Sequence, residues 1–140
     1  MRAAFIGLGA MGYPMAGHLV RRAGVEVTVF NRTASKADAW CAEFGGRSAG
    51  TPALAASEAD VVVLCVGDDP DVRAVLYGAG GTQASIDGVL AALRPGTLLI
   101  DTPRRRRILH ANWPPQRQRA VLRSWMRRCQ AGRPVRRTAR

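Results

Sequence analysis

Four short apolar segments occur in the first hundred residues, and longer stretches of mixed polarity separate them. The segments are residues 2–6, 25–30, 61–66 and 98–100. The third segment, Val61–Val66, is apolar at every position, which is typical of a parallel strand that is buried on both faces. The four segments therefore predict four strands of one parallel sheet.

The intervening stretches predict helices over residues 12–22, 34–44, 51–56, 71–76 and 86–93. Met15, Leu19 and Val20 give the first helix an apolar face. Pro14 falls in its first turn, where the missing N–H is not needed. Strands that alternate with helices predict an α/β fold, a Rossmann-like doubly wound parallel sheet with right-handed crossovers.

A glycine-rich turn follows the first predicted strand and opens the first predicted helix. It has the pattern G-x-G-x-x-G and consists of Gly7, Leu8, Gly9, Ala10, Met11 and Gly12. In such a turn the first glycine permits a tight bend, the second lets the backbone approach a pyrophosphate, and the third lets helix and strand pack together. The helix N-terminus then offers N–H groups and the positive end of its dipole to the phosphates. In this position the motif predicts a dinucleotide cofactor site.

The end of the second predicted strand bears on which cofactor is bound. An acidic residue at this point binds the ribose 2′-hydroxyl of NAD, but this chain has Asn31, Arg32 and Thr33. An arginine can hold a 2′-phosphate with two hydrogen bonds, and asparagine and threonine can add others. The segment favours NADP, although NAD remains an alternative, and Arg32 could instead be a solvated charge at a strand end.

The charge of the chain is divided unevenly between two segments. The net charge is +11, yet residues 1–102 hold 8 Lys and Arg against 10 Asp and Glu, whereas residues 103–140 hold 13 Arg and no acidic residue. We therefore predict a cofactor-binding domain over residues 1–102 and an arginine-rich tail over residues 103–140. The composition of the tail predicts that it is disordered or poorly packed.

Few other residues suggest a catalytic or metal-binding role. Cys41, Cys65 and Cys129 lack metal-ligand spacing, and widely spaced cysteines in odd number fit a reducing cytoplasm, so we expect no metal and a cytoplasmic protein. The longest apolar run is too short for a membrane span, and a strand explains the apolar N-terminus better than a signal peptide does. His18 and His110 have no nucleophile or acid at a spacing that indicates a triad, so no catalytic residue is predicted.

Residues beyond the three glycines are similar to those of a known family. Met11, Pro14, Met15 and Ala16 extend the turn into a segment that resembles the opening of the β-hydroxyacid dehydrogenases, such as 3-hydroxyisobutyrate dehydrogenase. The cofactor domain of that family is of the 6-phosphogluconate dehydrogenase type. Residues 31–33 resemble its NADP-type second-strand end, residues 64–69 its loop along the cofactor, and residues 100–102 the start of its segment near the nicotinamide. The resemblance covers residues 1–102.

The resemblance implies an NAD(P)-dependent oxidation of a short β-hydroxy acid to its semialdehyde. It also implies that Leu64, Cys65, Val66 and Thr102 border the nicotinamide ribose. The family's glycine-rich substrate loop and its catalytic lysine are absent from this chain, whose one lysine is Lys36. We expect Lys36 to be a surface residue, and we expect the chain alone to bind cofactor weakly and to show no measurable turnover.

The tail can be read as the product of a shifted reading frame. With GC-rich codons, the frame that begins at the third base encodes D-A-P-V-S-G-G through residues 125–132, which is the missing substrate loop. Restoring one base near Thr102 likewise turns the residues from Pro103 onward into the family's own continuation. We therefore expect residues 103–140 to arise from a one-base deletion, either natural or a sequencing error.

Two other functions remain open. The chain could be a cofactor-binding module without turnover, or Arg104–Arg107 and the later arginines could neutralise the phosphates of a nucleic acid. The sequence contains no base-reading module, so we expect no specific nucleic-acid partner, and we expect no membrane partner. Where the family's later strands are missing, an apolar sheet edge would be exposed, which favours aggregation or a homo-oligomer.

Overall fold

The computed structural model describes residues 1–78, residues 86–102 and the backbone of residues 107–110. Strands and helices alternate over these residues, as the hydrophobic pattern predicts. The elements are β1 Arg2–Ile6, α1 Gly12–Ala23, β2 Glu26–Phe30, α2 Ala34–Phe44, β3 Arg47–Ser48, α3 Pro52–Ala56, β4 Val61–Leu64, α4 Asp69–Tyr77, α5 Val89–Ala92, β5 Leu98–Asp101 and β6 Arg107–His110.

The strands form one sheet in the order β3-β2-β1-β4-β5-β6. The first five strands are parallel, and β1 lies between β2 and β4, with Ile6 opposite both Phe30 and Leu64. From β1 the chain adds β2 and β3 on one side of this strand. It then crosses to the other side of β1 and adds β4 and β5 there. The prediction of a Rossmann-like doubly wound α/β fold is confirmed.

Alternate residues of β1 and β4 contribute to two separate cores, one on each face of the sheet. Ala3 and Phe5 of β1 pack with Val27 and Val29 of β2 and with buried residues of α1 and α2, including the fully buried Trp40. On the opposite face, the alternate β1 residues join β4, β5 and helices α3, α4 and α5 in a second cluster. Burial on both faces explains why the central strands are uniformly apolar.

The ends of the elements follow local backbone chemistry. The hydroxyl of Thr51 accepts a hydrogen bond from the N–H of Leu54 at 3.1 Å, so it caps α3 as the sequence suggests. Helix α5 is shorter than predicted, because it begins only after Gly88 and has ended at Leu93, just ahead of the Arg94-Pro95 step. The two-residue strand β3 was not predicted, since it is exposed and carries no apolar pattern.

Strand β6 changes the expected edge of the sheet. It pairs with β5 in antiparallel fashion, with Leu98 opposite His110 and Asp101 opposite Arg107. The expectation that β5 would present a bare edge is therefore wrong, because β6 occupies its outer hydrogen-bonding groups. Strand β6 lies within the segment assigned to the tail, and the rest of that segment, residues 103–106 and 111–140, falls outside the described residues.

The described part of the chain lacks two features, a membrane-spanning helix and a cluster of metal-binding side chains. None of its helices has the length and apolar character that crossing a bilayer requires. Among the same residues, no group of three or more His, Cys, Asp or Glu side chains could hold a metal ion.

Candidate functional site

A cleft of about 550 Å³ opens at the carboxyl ends of β1, β2 and β4. The strand order reverses at this point, because β2 and β4 lie on opposite sides of β1. In open α/β sheets such a reversal leaves a crevice where ligands bind. The cleft is lined by backbone of the glycine-rich turn, by the segment after β2, by the loop after β4 and by one side of α4.

Gly7 brings the end of β1 close to the loop after β4. Its N–H donates to the carbonyl of Phe30 at 2.8 Å, and its φ is +100°, a conformation that side chains disfavour. A Cβ at this position would lie 2.5 Å from the carbonyl oxygen of Cys65. The position therefore requires glycine for both its backbone angle and its packing.

The other two glycines of the motif, Gly9 and Gly12, have different structural roles. A Cβ on Gly12 would overlap the carbonyl oxygen of Gly7, so this glycine lets α1 start directly against the end of β1. A Cβ on Gly9 would meet no atom within 4 Å, and Gly9 is exposed at the cleft. Packing demands glycine at position 12, whereas at position 9 glycine leaves the backbone open to a ligand.

Asn31 ties the glycine-rich turn to the segment after β2. Its Oδ1 accepts a hydrogen bond from the N–H of Leu8 at 2.9 Å, and its Nδ2 donates to the carbonyl of Thr33 at 3.0 Å. The asparagine was predicted to contact the cofactor, and its side chain already makes two hydrogen bonds within the protein. Its evident role is to hold the two binding segments in a fixed relation.

The segment after β2 carries two cations into the cleft. Arg32 is 89% exposed, and Lys36 is also exposed and lines the same cleft. Thr33 is the N-cap residue of α2, and its side chain makes no capping hydrogen bond. Its hydroxyl is thus not committed to the helix, and a threonine and two cations lie together beside the glycine-rich turn.

The predicted residues beyond β4 divide into two groups. Cys65 and Val66 line the cleft. The side chain of Leu64 is fully buried in the core, and its carbonyl oxygen accepts hydrogen bonds from Thr102, from the hydroxyl at 2.7 Å and from the N–H at 3.0 Å. Neither Leu64 nor Thr102 lines the cleft, so the structure gives them a part in joining β4 to the end of β5.

The remaining predicted residues lie in the turn itself. The side chain of Leu8 is buried in the core, and only its N–H takes part in the turn, as the donor to Asn31. Ala10 and Met11 are exposed just ahead of α1, and Met11 is 69% exposed. The N–H of Tyr13 in the first turn donates to the carbonyl of Gly9 at 3.0 Å, and the positive end of the helix dipole at this helix start favours an anion.

Sequence reasoning missed three charged residues of the cleft, Lys36, Asp71 and Asp87. Lys36 was set aside as a surface residue, although a position three residues beyond Thr33 in a helix returns to the same face. Asp71, from the first turn of α4, also lines the cleft, and its Oδ1 lies 3.3 Å from Nη1 of Arg32. No short-range signal could have revealed this contact, since 39 residues separate the two.

Residues 2–105 match the sequence profile of the NAD binding domain of 6-phosphogluconate dehydrogenase. The chain belongs to this family. The chain is therefore an NAD(P)-binding domain of the dehydrogenase type, and the cleft at the carboxyl ends of the strands is the candidate site for its dinucleotide. The match ends close to the predicted boundary at residue 102.

Individual relatives agree with the family assignment. The chain is 46% identical over 100 residues to an uncharacterized oxidoreductase of Shewanella frigidimarina, covering 71% of this chain and 32% of that protein. It is similar to the structure of Mycobacterium tuberculosis 3-hydroxyisobutyrate dehydrogenase, with a TM-score of 0.58 and 36% identity over 72% of this chain and 31% of that one. An Aspergillus terreus reductive aminase in complex with NADPH and ethyl levulinate matches with a TM-score of 0.52 and 29% identity, covering 71% of this chain and 31% of that one. The chain thus spans about a third of the length of these proteins.

The residues present fit a phosphorylated dinucleotide. The cleft volume lies within the range of ordinary cofactor sites. Gly9 leaves open backbone at the start of α1, where the helix dipole favours phosphate. Arg32 and Lys36 add positive charge at the end of β2, where the ribose of a dinucleotide lies in this fold.

Proposed function

We propose that this chain binds NADP as the cofactor domain of a dehydrogenase that oxidises a short β-hydroxy acid to its semialdehyde. The observation that carries the proposal is the convergence of Arg32, Lys36 and Thr33 beside an open glycine-rich turn in one cleft. The end of β2 itself carries no acidic residue to accept a ribose 2′-hydroxyl. The likeness to a 3-hydroxyisobutyrate dehydrogenase and to an NADPH-bound reductase supports both parts of the proposal.

Each segment of the cleft has a distinct task in this proposal. The backbone from Gly7 to Gly12 holds the pyrophosphate against the start of α1. The guanidinium of Arg32 donates to the 2′-phosphate, with Lys36 as a second positive charge and the Thr33 hydroxyl as a neutral donor. Cys65 and Val66 border the path from the pyrophosphate toward the nicotinamide.

The chain alone would orient the cofactor without completing the reaction. Nicotinamide supplies the hydride chemistry when it is bound, and the protein must position the substrate and move the hydroxyl proton. General acid–base catalysis of that kind contributes about 10²- to 10⁴-fold to the rate. The chain's one lysine, Lys36, lines the cleft beside Arg32 and Thr33, where this proposal places the 2′-phosphate.

Titration of the 140-residue chain with NADPH and with NADH, followed by nicotinamide fluorescence, tests the binding proposal. We expect both to bind, and we expect NADPH to bind more tightly. Equal affinity for the two would contradict the assignment of the 2′-phosphate to Arg32. A parallel assay with short 3-hydroxy acids should show no NADP reduction above background, and reproducible turnover would contradict the account of the isolated chain.

A further inference from the structure

A carboxylate faces the arginine that the proposed function assigns to the 2′-phosphate. Oδ1 of Asp71 lies 3.3 Å from Nη1 of Arg32, and both residues line the cleft. Arg32 follows β2, whereas Asp71 belongs to the first turn of α4, across the cleft. Their ion pair therefore bridges the ribose end of the proposed NADP site.

The two partners are held very differently. Asp71 is only 38% exposed, and its N–H donates to the side chain of Asp68, the N-cap residue of α4. Its Oδ2 packs against the loop after β4, where a Cβ on Gly67 would lie 2.7 Å from it. Arg32, by contrast, is 89% exposed. Asp71 is thus the more enclosed partner, and the guanidinium is the partner that can move away more easily.

This arrangement sets up a competition for one guanidinium. A 2′-phosphate that takes the hydrogen bonds of Arg32 must displace the carboxylate of Asp71 from the guanidinium, which costs the energy of the ion pair. NAD has a hydroxyl in place of that phosphate and does not meet this cost. Because an exposed ion pair is weak, the penalty on NADP is modest and does not reverse the preference that the cations create.

Resting on the function proposed above, we propose that Asp71 is a specificity-determining residue that narrows the preference of the site for NADP over NAD. It does so by holding Arg32 in an ion pair that competes with the 2′-phosphate. The residue acts through Arg32 and needs no contact of its own with the cofactor.

Asp71→Asn tests the proposal, because it removes the charge and keeps the shape of the side chain. We expect it to tighten NADPH binding about two- to fivefold, the range that a weak exposed ion pair allows, and to leave NADH binding unchanged. Asp71→Glu, which restores the charge, should return NADPH affinity toward that of the parent. In an Arg32→Ala background, Asp71→Asn should give no gain, because the shared guanidinium is gone.

Glu58→Gln provides a matched control. Glu58 pairs with Arg2 at the same distance of 3.3 Å but lies outside the cleft, so its loss should change neither affinity. The proposal is overturned if Asp71→Asn alters NADPH and NADH binding equally, weakens NADPH binding or has no effect. If the parent chain binds neither cofactor, the proposed function fails and this proposal fails with it, and the two failures are thereby distinguished.

Discussion

The two ends of the sheet differ in the surroundings of their charged side chains. At the carboxyl end, a cleft of about 550 Å³ exposes glycine backbone and two cations, of which Arg32 pairs with the partly exposed Asp71. At the amino end of β1, a second cavity of about 370 Å³ contains Arg2 and Arg47, which pair with Glu58 and Glu26. Basic residues alone therefore do not mark the site. The carboxyl end is distinguished by cations beside open backbone at a helix start.

The largest expected effect comes from Gly12→Ala at the carboxyl end. The new methyl group would overlap the carbonyl oxygen of Gly7, so the turn and α1 cannot keep their relation. We expect a loss of about 1–3 kcal/mol in the free energy of unfolding and no detectable NADPH binding. Chemical denaturation and fluorescence titration measure the two effects.

Gly9→Ala and Gly50→Ala form a matched pair for the same comparison. Neither glycine has a positive φ, and at neither would a Cβ meet an atom within 4 Å, so both variants should fold normally. Gly9 lines the carboxyl-end cleft and Gly50 the amino-end cavity. Only Gly9→Ala should weaken NADPH binding. An equal loss of NADPH affinity in Gly50→Ala would contradict the assignment of the cofactor to the carboxyl-end cleft.

Next in size is the loss of the arginine at the carboxyl end. Arg32→Ala should weaken NADPH binding about 10- to 100-fold, the range for a hydrogen bond to a charged group, and change NADH binding little. Lys36→Ala should also weaken NADPH binding more than NADH binding, but by a smaller factor, since lysine acts as a single point charge. Arg47→Ala at the amino end serves as the control and should leave both affinities unchanged.

The smallest expected effect concerns acid stability at the amino end. The N–H of Arg2 donates to Oδ2 of Asp60 at 2.8 Å, and this hydrogen bond lowers the pKa of Asp60 from its usual 3.8. Since the folded state has the lower pKa, this contribution to stability is present above pH 3.8 and is lost as pH falls through the folded pKa. Melting temperatures measured at descending pH should therefore fall less steeply for Asp60→Asn than for the parent.

The same comparison shows how far the sequence could predict the site. Local signals sufficed for the carboxyl-end backbone, because strand, glycine-rich turn and helix are consecutive and each glycine has a local reason to be there. They also placed Arg32 and Thr33 at the end of β2. Contacts between distant segments could not be read in this way, and so the ion pair of Arg32 with Asp71 was missed.

Two further differences have the same physical origin. Leu64 was expected at the cofactor, but the register of β4 points its side chain into the core. The pairing of β6 with β5 was also unforeseen, because residues 107–110 follow a run of arginines and show no alternating pattern typical of a strand. In both cases tertiary packing decided what the local pattern left undetermined.

The central claim is that the cofactor binds at the carboxyl end of the sheet, and backbone amide chemical shifts recorded during an NADPH titration test it most directly. The account predicts that the largest changes occur at Gly9, Ala10 and Arg32, with Asp71 also affected. The amides of Arg2, Arg47 and Glu58 at the amino end should remain unchanged. Changes centred on those amino-end residues, or an unaltered spectrum at saturating NADPH, would contradict it.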